Sequence, residues 1–140
     1  MQWPSDLIGY DALSSYGSPS YWVQVMFAER TGTEVVASTL TNAGPRIAES
    51  VTRDEERRKI FIKVVNGTSN PQRFQIALDG TPNVKRQATL VTMSGKSPNA
   101  TNTIDHPENI KPVERMVQVA GPKFEYSFVP YSVNVMELSY

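Results

Sequence analysis

Carboxylates have the widest choice of chemistry in this chain. Asp and Glu together number fourteen, against fourteen Lys and Arg, one histidine and no cysteine. Two carboxyls facing one bond can hydrolyse a glycoside, one as nucleophile or base and the other as acid. One of the pair then needs surroundings that raise its pKa. Glu29, Glu34 and Glu49 flank an expected helix and the first expected strands. Asp54, Glu55 and Glu56 lie inside the sign-alternating run Arg53-Asp54-Glu55-Glu56-Arg57-Arg58-Lys59. Glu108, Glu114, Glu125 and Glu137 fall on loops or on the polar faces of strands. None combines an apolar setting with a neighbouring acid, so the residues alone mark no catalytic carboxylate: catalytic residues, none.

The other reactive types are sparse. His106, in DHPEN, stands alone in a polar loop and has no marked partners for a metal site or a Ser-His-Asp triad. The absence of cysteine removes disulfides, thiolate metal sites and a cysteine nucleophile. There is no HExxH, Walker loop or GxGxxG, so the sequence implies neither metal nor cofactor. Two tripeptides, Asn66-Gly67-Thr68 and Asn99-Ala100-Thr101, match the N-glycan acceptor pattern. Asn66 ends a strand before a turn, and that role accounts for it without a glycan.

Net charge is zero and the densest charged run alternates in sign, which excludes the basic stripe of a nucleic-acid binder. No apolar run approaches the ~20 residues of a membrane-spanning helix. The first residues lack the basic region and apolar run of a secretory leader, since Pro4, Ser5 and Asp6 interrupt them.

The elements that would hold these side chains fall into two textures. The chain's 140 residues suit a single core. The first twenty-two residues hold five of the thirteen aromatics: Trp3, Tyr10, Tyr16, Tyr21 and Trp22. Ser18-Pro19 predicts a helix start, with Ser as N-cap and Pro at the first helical position. Trp22, Val23, Met26 and Phe27 make one stripe, and Tyr21, Val25 and Ala28 fill most of the rest, as expected of a helix buried on more than one side. Thr31-Gly32 is read as its end. Beyond it, short Val/Ile/Thr/Phe/Tyr runs alternate with Pro, Gly and Asn. RKIFIKVVN and QRFQIALD, joined by GTSNP, read as an antiparallel pair with Ile60, Ile62 and Val64 inside and Lys59 and Lys63 outside. Further strands are expected at 34–40, 47–53, 87–93, 113–119, 123–128 and 132–138, with 94–112 an ordered excursion between strands. About eight short strands with turn punctuation predict a mainly β protein, an antiparallel β-sandwich or jelly roll preceded by one apolar helix.

At this point a resemblance emerges. WPSDLIGYDA followed by GSPSY resembles the last β/α segment of the catalytic barrel in family 51 α-L-arabinofuranosidases. SVTRDEERRKIFIKVVNGT, NTIDHPENIKPVE and the closing FEYSFVPYSVNVMELSY resemble that family's C-terminal domain. The resemblance implies that residues 1–30 are the tail of a truncated (β/α)8 barrel and residues 31–140 the C-terminal β-sandwich, with Met1 internal to a longer chain. It implies hydrolysis of terminal non-reducing α-L-arabinofuranosyl groups of arabinoxylan or arabinan by a retaining enzyme, which places the activity in L-arabinose metabolism and hemicellulose degradation. The two glutamates that do this in the family end the fourth and seventh barrel strands, and no glutamate precedes Glu29 here. The fragment alone is therefore expected to be inactive and to support the barrel. Residues 34–140 are then expected to form the fold with 1–30 outside its core, the helix setting one face on the sandwich and leaving another exposed with Tyr or Trp side chains of the first segment. Asp6, with Gln2 and Trp3 beside it, matches the region where the family holds arabinose with a polar, usually amide, side chain. The implied partners are the upstream barrel, an arabinose-containing oligo- or polysaccharide bound through it, and further copies of the chain; nucleic acid and membrane are not implied.

Two other readings suit a β-sandwich: a free-standing carbohydrate-binding module and a non-catalytic interaction domain. The first would present solvent-facing aromatics. Here Phe61, Phe74, Phe124, Tyr126 and Phe128 mostly alternate onto expected core positions.

Overall fold

The structure is a computed structural model that describes residues 6–140. A short hairpin comes first, β1 (Ile8–Tyr10) with β2 (Ser15–Gly17), then helix α1 (Pro19–Glu29). Eight strands follow: β3 (Glu34–Val36), β4 (Ile47–Asp54), β5 (Lys59–Asn66), β6 (Gln72–Ala77), β7 (Gln87–Ser94), β8 (Val113–Gln118), β9 (Lys123–Phe128) and β10 (Ser132–Ser139). Among the described residues, β3-β4-β5-β10-β7-β8 form one six-stranded sheet and β6-β9 a second, and every pairing is antiparallel. The mainly β, sandwich-type fold expected from the sequence is the one observed.

The pairing of β5 with β6 is not. β5 lies between β4 and β10, with Lys59–Asn66 in register with Ser139–Ser132, while β6 pairs with β9 in the other sheet. The burial pattern of β5 gives the reason. Ile60, Phe61 and Ile62 are consecutive and all buried, so the strand is covered on both faces and belongs in the middle of a sheet. β6 alternates half-buried Phe74 and Ile76 with exposed Arg73 and Gln75, and needs cover on one face only.

GTSNP therefore carries the chain from one sheet to the other instead of closing a hairpin. Asn66 fixes that crossing from a fully buried position. Its Nδ2 donates to the carbonyls of Asn70 (2.9 Å), Phe128 (3.2 Å) and Val129 (2.9 Å), and its Oδ1 accepts from Thr68 N (3.0 Å) and Oγ1 (2.7 Å).

The two faces of the large sheet carry separate apolar clusters. Between the sheets, Ile60, Ile62, Val64, Leu90, Met136 and Leu138 meet Phe124 and Phe128. On the opposite face Met26 of α1 packs with Phe61, Val91, Met93, Ile110 and Val135, flanked by Trp22, Val23 and Phe27. The expectation that residues 1–30 lie outside the core fails for the helix, since Met26 is 1% exposed. The face of β5 read as polar and outward is the helix seat. Lys63 lies there with its Nζ 4.7 Å from the centre of the Phe27 ring, and desolvation lowers its pKa.

Ser18 caps α1 as expected, its Oγ accepting from Tyr21 N at 3.3 Å, with Pro19 at the first position. The exposed residues of the helix are Ser20, Gln24, Ala28 and Glu29, and the remaining ones are at least half-buried. Gly32 follows the helix without being a left-handed cap. It is needed because a Cβ there would lie 2.2 Å from the Arg53 carbonyl oxygen, and its N–H donates to Thr52 Oγ1 at 2.9 Å.

Candidate functional site

Of the three candidate sugar contacts, Asp6 is the one among the described residues. Asp6 is exposed and lies two residues before β1. Gln2 and Trp3, the other two candidate sugar contacts, lie outside the described residues. Behind Asp6 the backbone is closed by Ser18 N–H donating to the Leu7 carbonyl at 2.8 Å. The hairpin tip is an Asx turn, with Asp11 Oδ1 accepting from Leu13 N (2.8 Å) and Ser14 N (2.7 Å). Gly9 is required beneath Tyr16: a Cβ there would lie 2.4 Å from the buried ring.

One side chain ties this hairpin to the sandwich. Asn102, in the excursion between β7 and β8, is 1% exposed. Its Nδ2 donates to Gly17 O (2.9 Å) and Ile110 O (2.8 Å), and its Oδ1 accepts from Ile110 N (2.6 Å). The amide closes the loop on itself and holds the residue before the helix cap. Sequence chemistry gave no signal for this role; only the resemblance marked the Asn102 loop as distinctive.

The hairpin also gathers exposed apolar side chains: Leu7, Ile8, Tyr10 and Leu13, with Tyr10 78% and Leu13 96% exposed. The exposed aromatic expected from the first segment is Tyr10 of the hairpin; Tyr21 and Trp22 are half-buried and stack edge to face at 5.2 Å.

The carboxylates serve structure. Glu34 and Glu55 both pair with Arg53, at 2.8 and 3.0 Å, Glu125 pairs with Arg73 at 3.0 Å, and Glu137 pairs with Lys59. Asp54 is buried at the β4-β5 turn and accepts from Arg57 N (2.8 Å) and Arg57 Nε (2.6 Å). Those bonds hold its carboxyl below the usual range, the direction opposite to that of a general acid. Among the described residues no cluster of His, Asp or Glu is arranged to hold a metal ion. His106 is exposed at a loop tip whose turns are closed by backbone bonds between Thr103 and His106.

A groove of about 730 Å³ opens between β6 and the β3-β4 side of the large sheet. Its lining includes Val51, Ile60, Ile62 and Phe74 of the inter-sheet core, and Glu49 at its edge is engaged by Ser38 Oγ at 2.8 Å. Its lining is mixed, with Arg53, Arg73 and Asp79 beside the apolar residues. Phe61, Phe124 and Phe128 are buried and Phe74 and Tyr126 half-buried, so these five form no exposed stacking platform for sugar rings. No described helix is long and apolar enough to cross a membrane.

Comparison with known proteins gives a consistent picture. Residues 3–132 match the family model described as the α-L-arabinofuranosidase C-terminal domain. α-L-Arabinofuranosidase 1 of Arabidopsis thaliana is 30% identical over 144 residues, which cover 98% of this chain and 21% of that protein. The arabinose-bound structure of MgGH51 α-L-arabinofuranosidase superposes with a TM-score of 0.89 at 32% identity, over 99% of this chain and 22% of the other. The α-L-arabinofuranosidase from Thermotoga maritima, in complex with arabinose, shares the fold with a TM-score of 0.81 at 22% identity, over 95% of this chain and 31% of the other. The chain thus spans 21% of the length of the curated relatives it matches.

Proposed function

This chain belongs to the α-L-arabinofuranosidase C-terminal domain family, and on that premise we propose that it is the C-terminal part of an enzyme that removes terminal non-reducing α-L-arabinofuranosyl groups from arabinoxylan or arabinan. Residues 1–30 are then the last β/α segment of the catalytic barrel and residues 31–140 the sandwich that braces it. The hydrolysis is retaining and uses two glutamates supplied by the upstream barrel. Such a pair stands about 5 Å apart, one attacking the anomeric carbon and the other acting as acid and then base.

The observation that carries this reading is the seating of the N-terminal segment. Met26 sits inside the sheet's second apolar cluster, Asn102 holds the Gly17 carbonyl, and Leu7, Ile8, Tyr10 and Leu13 face outward beside Asp6. A sandwich with one side packed on this segment, and an apolar hairpin presented beyond it, has the layout of a brace for a neighbouring domain. The test is release of nitrophenol from an aryl α-L-arabinofuranoside. The 140-residue chain should give none and a full-length parent should turn over. Turnover by the chain alone would overturn the supporting role.

A further inference from the structure

The two Asn-x-Thr tripeptides have opposite fates in the fold, and the proposed function uses neither. An N-glycan is attached through Asn Nδ2. At Asn66 that nitrogen faces three backbone carbonyls within 3.2 Å in a fully buried site. The acceptor hydroxyl of the same tripeptide, Thr68 Oγ1, is bonded to Asn66 Oδ1 at 2.7 Å. A sugar on Asn66 would replace a bonded proton and has no path to solvent, so the sandwich crossing and the glycan are incompatible.

Asn99 presents the reverse geometry. It is the third residue of a turn over residues 97–100, closed by Ala100 N–H donating to Ser97 O at 3.2 Å, with Pro98 fixing the residue before it. Both Asn99 and Thr101 are exposed, and Thr101 Oγ1 makes a long bond, donating to Asn102 O at 3.4 Å. The turn rises from a rigid base, because Asn109 Nδ2 donates to Thr101 O at 2.9 Å and the buried Asn102 follows directly. A bulky group on Asn99 projects into solvent and disturbs none of the bonds that hold the loop.

We propose that Asn99 is an N-glycan acceptor site of this domain and that Asn66 is not. The donor is a polyisoprenyl diphosphate-linked oligosaccharide. The bond between its anomeric carbon and the diphosphate oxygen breaks, a carbon–nitrogen bond forms to Asn99 Nδ2, and the amide proton leaves by way of the transferring enzyme while the lipid diphosphate departs with the electron pair. Attachment at an exposed turn adds a solubilising group without altering the core.

The test is to express the 140-residue chain behind a secretion leader in yeast, and in parallel to translate it with the same leader into microsomes. Modification is scored by glycan-releasing amidase, which lowers the mass and leaves Asp at the site, followed by peptide mass measurement. The expected result is one glycan, on Asn99, lost completely in Asn99→Gln and in Thr101→Ala, with Asn66 unmodified in the soluble secreted chain. An unmodified Asn99, or a glycan on Asn66 of the soluble chain, overturns the proposal. If the chain is retained inside the cell, the microsomal product decides: modification at Asn99 supports the proposal and its absence overturns it.

Discussion

The Nδ2 of Asn102 donates to the Gly17 carbonyl across 2.9 Å, joining residues 85 positions apart in the chain. The same buried amide closes residues 102 and 110 with two further bonds. Asn102→Ala would leave the Ile110 N–H and two carbonyls unpaired around a small cavity, and each buried unsatisfied group costs about 1–3 kcal/mol. A loss of about 2 kcal/mol or more is expected in denaturant unfolding, with faster hydrogen exchange at the Ile110 amide. A loss below about 0.5 kcal/mol, the range of an ordinary surface change, would deny the amide its role.

Met26 makes α1 part of the fold. Met26→Ala removes a fully buried side chain facing Phe61, Val91 and Val135, and comparable core truncations cost about 2–5 kcal/mol. Deleting residues 1–30 would uncover that whole cluster, and the remaining sandwich should bind an apolar dye. A truncated sandwich with unchanged stability and no dye binding would return the helix to the periphery.

The closing strand is the second point of failure. β10 pairs with β5 over eight residues and with β7 over six, and Val135, Met136 and Leu138 are completely buried. Removing residues 131–140 opens two long, apolar edges in the middle of the sheet, which is the arrangement that aggregates. Soluble expression should be lost. A soluble product with a sharp melting transition would contradict the central placement.

What the sequence made legible follows from how local its signals were. The Ser18-Pro19 cap, the turn-punctuated strands and the inward alternation of Phe74 and Ile76 are read within a few residues, and each has its expected form. The β5-β6 pairing was misread because GTSNP carries hairpin-type residues while Asn66 uses them to cross between sheets, through bonds to Phe128 and Val129 that no local pattern contains. Lys63 was read as outward because a charged residue alternates with Ile62 and Val64; its neighbour Phe61 was the sign of a second buried face. Asn102 was invisible to residue chemistry, since a buried asparagine looks like a loop asparagine until its partners are known.

Acid should weaken the β4-β5 turn through Asp54. Arg57 N and Nε bond its carboxylate and lower its pKa from the model-compound value of 3.8. A carboxyl depressed in the folded state releases its proton more readily there than in the unfolded chain. Its contribution is complete above 3.8 and is lost as pH falls through the lower folded value. Asp54→Asn should therefore be less stable than the parent at neutral pH, and the gap should close as pH falls below about 4. Parallel stability curves for the two proteins over that range would remove Asp54 from the account.

Asp6 lies two residues before β1, and its exposure beside Leu7 and Ile8 gives it access to whatever the hairpin meets. If the barrel lies on that surface, Asp6 can accept hydrogen bonds from arabinose hydroxyls. It supplies no chemistry by itself, because hydrolysis needs a second carboxyl on the same bond. The carbonyl of its neighbour Leu7 accepts from Ser18 N–H. A hydrogen bond to a charged group contributes about 1.5–3 kcal/mol, which corresponds to a loss of roughly tenfold to a hundredfold in kcat/KM on truncation. Asp6→Ala in a full-length parent should show that loss, and Asp6→Asn should recover much of it, since an amide can still accept from a sugar hydroxyl. The melting temperature should not move, because the residue is exposed. An unchanged kcat/KM with an unchanged melting temperature would assign Asp6 to the loop alone, and a lowered melting temperature would assign it to the turn that precedes β1.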